Sequence, residues 1–304
     1  MSLVFALDIG GTYIKSAVVD VAQGLPASVS TVQRTATPVG NDNGAKLVAQ
    51  LITLANEAMA AHDISAIGIS TPGVSDEAAG IIRYATNLKV RDLHLKSLVQ
   101  DATGLPVGFS HDGRACALAE SLAGAAQGHT NFALMPIGTG ISVGLMIDGV
   151  IPTSDGFIGE VGHANTGHGV LCECGLVGCL EAVASTSAIA RRYNQRTGEN
   201  ADAKYVVEAA HHGDVIAIEV WDDALDALAF ACDWLMNTLS PEAIVFAGGL
   251  SAAGSQLIDP LETRMNARIG FQRRPKLKLA LLGDDAGVLG AAAVAMRASA
   301  GDSA

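Results

Sequence analysis

Two stretches of the chain share one pattern, and that repetition constrains the fold more than any single motif. Val4-Phe5-Ala6-Leu7-Asp8-Ile9 is a short apolar run ending in Gly10-Gly11-Thr12, after which a second run resumes from Ile14 to Asp20. Asn131-Phe132-Ala133-Leu134-Met135-Pro136-Ile137 ends in Gly138-Thr139-Gly140 and resumes from Ile141 to Ile147. Apolar runs of this length bounded by glycine read as buried strands joined by a tight turn. Asp148-Gly149 predicts a hairpin turn into Val150-Ile151. Two copies of strand, glycine turn and strand predict a duplicated α/β domain. Each turn exposes amide N–H groups that form an anion-binding concavity. Asp8 projects beside the first, where a divalent cation bridging phosphates would sit, and Lys15 supplies a mobile positive charge. For either turn alone, an ordinary glycine hairpin beside a buried acid is the competing reading; together they point to a polyphosphate gripped between them. There is no G-x4-G-K-[ST], so neither is a P-loop.

The second constraint is chemical. Three of the five cysteines, Cys172, Cys174 and Cys179, crowd into one turn-rich segment, and His163 lies ahead of them. Thiolate and imidazole are the ligands zinc prefers, and four of them close a tetrahedral shell with no open position. Gly167, Gly169, Gly175 and Gly178 let the backbone fold back so that all four converge. Buried free cysteines and a disulfide are the alternatives. Glycines inside a C-x-C-x4-C cluster suit a core element badly, and three cysteines do not pair evenly. A saturated zinc does not activate water, so this segment, 159–181, reads as a clamp. Glu160 and Glu181 flank it, and anchored carboxylates suit a polyhydroxylated ligand. A solvated loop position is the plain alternative for each glutamate.

The remaining elements read as α/β. Residues 44–62 carry Leu47, Val48, Leu51, Ile52, Ala55, Ala58 and Met59 at helical spacing. Ala66–Ser70 is a strand ending at Thr71-Pro72-Gly73, a carboxyl end where ligands bind in open α/β sheets. Asn87 sits in a polar turn, read as an Asx turn or as a ligand contact. Leu105–Ser110 is a strand running into His111-Asp112-Gly113-Arg114, with a helix over Ala115–Gln127. Asp112 at that junction reads as an N-cap or as a general base. Helices are expected over 181–196 and 214–239, the second burying Val215, Ile218, Leu225, Leu228, Ala229, Cys232 and Leu235 on one side. Cys116 and Cys232 read as core residues. Ala243–Ala247 is a strand meeting Gly248-Gly249, where a flat ring or a phosphate can approach the backbone, or where the chain simply turns tightly. Leu277–Leu282 and Asp285–Ala298 are the last strand and helix.

With 304 residues, 49% hydrophobic and only 16% charged, the chain has ample core for two domains. A net charge of -12 argues against nucleic-acid and membrane surfaces, so no partner of either kind is expected. The first apolar run is too short for a signal sequence and Ala286–Met296 too short to span a bilayer, so a cytoplasmic location is expected.

These motifs resemble the ROK (repressor, open reading frame, kinase) family of sugar kinases over essentially the whole chain, and the bacterial ROK glucokinases most. Asp8-Ile9-Gly10-Gly11-Thr12 with Lys15 is similar to the family's first phosphate motif, and Ile137-Gly138-Thr139-Gly140 to its second. Gly159-Glu160-Val161-Gly162-His163 with Cys172, Cys174, Gly175, Gly178, Cys179 and Glu181 resembles its zinc-containing sugar motif, and Phe246–Ser251 its adenosine-side motif. The resemblance implies a two-lobed actin/hexokinase-like (ribonuclease H-like) ATPase fold with duplicated domains and the active site in the cleft. The domains would be 1–112, completed by the C-terminal helix 285–304, and 113–284 with the zinc loop. It implies Asp112 as catalytic base and Gly73, Asn87, His111, Glu160, His163 and Glu181 as sugar contacts. Asp8, Gly10, Gly11, Thr12, Lys15, Gly138, Thr139, Gly140, Gly248 and Gly249 would hold ATP with Mg²⁺, and His163, Cys172, Cys174 and Cys179 a structural Zn²⁺. The partners would be a sugar and ATP, and the assembly a homodimer.

The implied reaction is γ-phosphoryl transfer to a hexose, glucose first, with mannose, N-acetylmannosamine, N-acetylglucosamine, fructose or allose as alternatives. The sequence departs from the family in having His111-Asp112-Gly113-Arg114-Ala115, where the base is usually preceded by asparagine and followed by Ala-Asn-Ala. Lys89-Val90-Arg91-Asp92 likewise stands where Pro-Gly-Trp is frequent. A sugar-sensing regulator of the same family is the competing class, although Met1 lies too close to the first strand for a preceding helix-turn-helix. A zinc hydrolase would need an exchangeable metal position.

Overall fold

In the computed structural model, residues 2–25 and 28–301 are described. The chain forms two compact units, one of Met1–Gln127, Ile151–Ile158 and Asp284–Ala304, the other of Gly128–Val150 and Gly159–Gly283. Met1 and the last three residues of the expected 285–304 segment lie outside the described residues.

The first unit begins with the expected hairpin, β1 (Leu3–Ile9) and β2 (Tyr13–Asp20), paired antiparallel so that Asp8 stands opposite Lys15. β3 (Ser28–Val29) and β4 (Gln33–Ala36) extend it beyond β2. Helix α1 (Ala45–Ala61) leads to β5 (Ile64–Thr71), which runs parallel to β1. A three-stranded sheet that sequence reading missed follows: β6 (Val74–Asp76), β7 (Ile81–Ala85) and β8 (Val90–Leu93). After α2 (Leu95–Thr103), β9 (Val107–His111) pairs parallel with β5 and ends the main sheet, ordered β3-β2-β1-β5-β9. Helix α3 (Asp112–Ala123) starts at Asp112, earlier than expected.

The second unit repeats this topology. β10 (Phe132–Pro136) pairs antiparallel with β11 (Gly144–Met146) and parallel with a later strand, β12 (Ala243–Ala247), which pairs parallel with β13 (Lys276–Leu279). The order β11-β10-β12-β13 matches β2-β1-β5-β9 in both direction and sequence. The second hairpin is shorter than its expected strand of 141–147. Its Ile141 and Val143 amides donate instead to Glu181 Oε2 and the Gly159 carbonyl. Asp148 and Gly149 make the expected turn with φ of 50° and 79°, as a two-residue hairpin loop requires.

The helix expected over 181–196 is two, α4 (Leu180–Ala184) and α5 (Thr186–Thr197). Ser185 is extended between them, and its Oγ caps α5 by accepting from the Ala188 amide. An unexpected helix, α6 (Ala203–His211), is capped by Asp202. In α7 (Val215–Leu239), Val215 and Ile218 are exposed, not core: they sit on the first two turns, and Ala217, Val220 and Trp221 turn inward instead. The strand expected over 277–282 ends at Leu279, and α8 (Ser255–Asn266) precedes it.

The closing helix α9 (Ala286–Ser299) belongs to the first unit. Alternation along β1 sends Phe5, Leu7 and Ile9 to the face covered by Leu47, Leu51 and Leu54 of α1. Val4 and Ala6 face Val288, Ala291, Ala292 and Ala295 of α9. Gly68 of β5 and Gly108 of β9 permit this close packing, because a Cβ at either would strike α9 backbone at Ala291 or Val294. Among the described residues, no helix is long and apolar enough to cross a membrane.

Candidate active site

In the first unit, the β1–β2 turn leaves the amides of Gly11 and Thr12 without an acceptor among the described residues. The turn is held by Gly10, whose amide donates to the Tyr13 carbonyl at 2.9 Å and whose carbonyl accepts from Thr37 Oγ1 at 2.7 Å. A Cβ on Gly11 would lie 3.4 Å from Asn87 Nδ2, so the turn and Asn87 adjoin. The Asn87 turn is closed by backbone, Lys89 N donating to Thr86 O, rather than by an Asx side chain. Gly73 has φ +94° and is pressed against Tyr84 and Ala85, which fixes the strand end beside that turn.

Asp8 accepts a 2.6 Å hydrogen bond from Ser70 Oγ. Burial raises its proton affinity, the Ser70 bond lowers it, the charge of Asp112 raises it, and Lys15 lowers it. Gly287 of α9 leaves no space for a Cβ against the same carboxylate. Lys15 is less mobile than expected, since its Nζ donates to the Asp284 carbonyl at 2.9 Å.

Asp112 is the first residue of α3; the N-cap is His111, not Asp112. His111 Nδ1 accepts from the Gly113 amide at 3.1 Å, which leaves Nε2 to carry the proton toward Asp112 Oδ1, 3.2 Å away. Arg114 is buried and ion-paired with Glu77, whose Oε1 also accepts the His111 amide at 2.9 Å. Glu77 gave no signal in the sequence: it lies in a short turn, and its partners are more than thirty positions away. Cys116, on the same helix, is only partly exposed; burial pushes its thiol well up, and Asp8 and Asp112 push it further.

In the second unit, Gly138–Gly140 repeats the first turn. The amides of Thr139 and Gly140 are free among the described residues, while the carbonyls of Gly138 and Thr139 accept from Thr186 N and Ser187 Oγ. Gly248, with φ 76°, packs on the backbone of Ile137, and Gly249 opens the short helical turn that follows. Glu181 Oε2 accepts from Ile141 N at 2.9 Å, and a Cβ on Gly140 would lie 2.6 Å from that oxygen. Glu160 precedes a short helical turn of Val161–His163.

The ligand atoms of His163, Cys172, Cys174 and Cys179 all lie within 4.8 Å of one another. Cys174 and Cys179 sulfurs are 3.7 Å apart, and Cys172 Sγ is 3.9 Å from His163 Nδ1. A tetrahedral zinc with Zn–S bonds of about 2.3 Å sets its ligands about 3.7 Å apart, so this donor set fits the ion. Cys174 and Cys179 are thus far beyond an S–S bond length of about 2.05 Å, and all three cysteines are free thiols here. Burial, followed by the two neighbouring thiols, pushes Cys179 up to about 12.

The ROK family model matches residues 4–298. A glucokinase from Halalkalibacterium halodurans is 32% identical over 93% of this chain and 92% of its own length. The structure of a ROK family glucokinase from Streptomyces griseus, in complex with glucose and AMPPNP, superposes with TM-score 0.81 at 29% identity, covering 97% of this chain and 100% of that one. A ROK family transcriptional regulator, a homologue of the E. coli MLC protein, superposes with TM-score 0.87 at 27% identity, covering 99% of this chain and 79% of that one. The repeated sheet is thus the actin/hexokinase-like ATPase fold. From the first strand to the last helix, the chain belongs to the ROK family.

Proposed function

We propose that the chain is an ATP-dependent hexose kinase, with glucose as the first candidate acceptor. One observation carries this reading: Asp112 opens α3 at the carboxyl end of β9, oriented by His111, within electrostatic reach of Asp8 beside the free amides of Gly11 and Thr12. That is the layout phosphoryl transfer needs, a base for the acceptor hydroxyl near donors for the phosphates. Asp112 takes the proton as the sugar oxygen attacks the γ-phosphorus, and the bond to the departing ADP breaks. The amides of Gly11, Thr12, Thr139 and Gly140 stabilise phosphate charge. Gly248 and Gly249 let the adenosine approach the backbone, and Lys15 adds positive charge. Sugar hydroxyls are assigned to Gly73, Asn87 and His111 of the first unit and to Glu160, His163 and Glu181 of the second.

Asp8 suits Mg²⁺, since a carboxylate whose pKa is raised by burial, and further by the Asp112 charge, is relieved by a cation. When bound, Mg²⁺ supplies charge neutralisation on the phosphates. Zinc held by His163, Cys172, Cys174 and Cys179 supplies rigidity and no open position. With Nδ1 turned to the thiols, His163 retains Nε2 for a sugar hydroxyl. The proposal includes a cytoplasmic homodimer, and light scattering checks the assembly.

A coupled assay over glucose, mannose, N-acetylmannosamine, N-acetylglucosamine, fructose and allose tests the reading. Glucose is expected to give the highest kcat/KM; phosphorylation of none of them sinks it. The similarity to a ROK regulator favours a second reading, a sugar sensor, which sugar binding by calorimetry without turnover would support.

A further inference from the structure

The first unit contains a cavity of about 820 Å³ that the proposed reaction does not use. It runs along Val107–Ser110 of β9, the last strand of its sheet, so one edge of this wall has no partner strand. The volume falls within the roughly 300–1,000 Å³ typical of small-molecule sites. Three cations reach it: Lys96, Arg297 and Arg114. Lys96 and Arg297 have no ion-pair partner among the described residues. Arg114 is almost fully buried, is paired with Glu77 on its Nε side, and leaves Nη2 without a partner. A buried guanidinium nitrogen without an acceptor is costly and calls for one. Glu77 and Asp101 also line the hollow, so three cations stand against two carboxylates, one of them already paired with Arg114, and the lining keeps a net positive charge in a chain of net charge -12.

We propose that this cavity binds a small organic oxyanion, a phosphate ester or dicarboxylate, through Lys96 and Arg297 with Arg114 as the buried third cation. The ligand acts on the candidate base. Arg114 holds Glu77, Glu77 holds the His111 amide at 2.9 Å, and His111 Nε2 stands 3.2 Å from Asp112. An anion drawing on the Arg114 guanidinium weakens its hold on Glu77 and shifts the His111–Asp112 pair. This also accounts for two of the three departures beside Asp112: His111 and Arg114 are the links from cavity to base.

Binding is tested by calorimetry with glycerol 3-phosphate and with succinate, on protein saturated with glucose and a non-hydrolysable ATP analogue, then without them. One site per chain is expected. A Lys96→Ala/Arg297→Ala protein should bind at least about tenfold more weakly, and the stronger of the two probes identifies phosphate or carboxylate chemistry. Arg114→Met should weaken it further, and the surface pair keeps the test usable should that variant not fold. Binding by neither probe, or binding untouched by the double substitution, overturns the site. The turnover arm rests on the kinase reading: the bound probe should change kcat and shift its pH profile, in the parent but not in the double variant. Binding with kcat, KM and pH profile all unchanged overturns the coupling alone.

Discussion

Glu181 Oε2 accepts the amide hydrogen of Ile141 at 2.9 Å. The bond ties the helix that follows the cysteine cluster to the turn of Gly138–Gly140. Glu181→Gln keeps an acceptor there, so it should raise the sugar KM and leave the ATP KM nearly unchanged. Glu181→Ala removes the tether and should raise both, by about tenfold or more for the sugar, in steady-state kinetics.

Asp112→Asn removes the proton acceptor and preserves shape. The expected result is a fall in kcat of about 10²–10⁴, with sugar binding by calorimetry within a few-fold of the parent. A near-parental kcat would remove Asp112 from the base role.

Cys172→Ser and Cys179→Ser, or prolonged chelation, should release stoichiometric zinc, read by elemental analysis. A structural zinc contributes on the order of 10 kcal/mol at its site, comparable to the whole stability of a domain, about 5–15. Sugar binding should be lost, and amide exchange should rise over 159–181.

Asp8 sets stability against activity. Its carboxyl is raised above the ordinary 3.8, chiefly by burial, so its ionisation favours the unfolded chain. Its contribution to stability is therefore complete below 3.8 and lost as pH rises through the folded value. Asp8→Asn should be more stable than the parent at neutral pH in thermal melts while losing most of kcat. Ser70→Ala deletes the bond that favours the charged form, so the acid limb of the kcat/KM profile should move to higher pH.

Gly68→Ala and Gly287→Ala separate packing from chemistry. At Gly68 the new methyl meets α9 backbone, and denaturation should show a loss of about 3 kcal/mol or more. At Gly287 the nearest atoms are those of the Asp8 carboxylate, which is held by Ser70. That variant should lose kcat out of proportion to its loss of melting temperature.

The β1–β2 and β10–β11 hairpins were legible because their apolar runs and glycine turns are local and repeated, and the convergence of His163 with the three cysteines followed from spacing. The β6–β8 sheet was not: its strands are three to five residues long and carry Asp76, Arg83 and Arg91, so no apolar period marks them. Helix α6 has few buried apolar side chains, Ala203, Val206 and Val207, too weak a signal beside its neighbours. The Glu77–Arg114 pair spans 37 positions and depends on strand register, which no window of sequence displays. The shortened β11 was hidden for the same reason, since a distant carboxylate captures the Ile141 amide.

Helix α9 lies far along the chain from β1, yet its Val288, Ala291 and Ala292 close over Val4 and Ala6. The strands of the first unit can pair before α9 exists, but one apolar face of their sheet stays uncovered until that helix has been made. A stop codon just before Ala286 spares every strand of that sheet, yet it abolishes the roof of the first unit and should send the product to proteolysis.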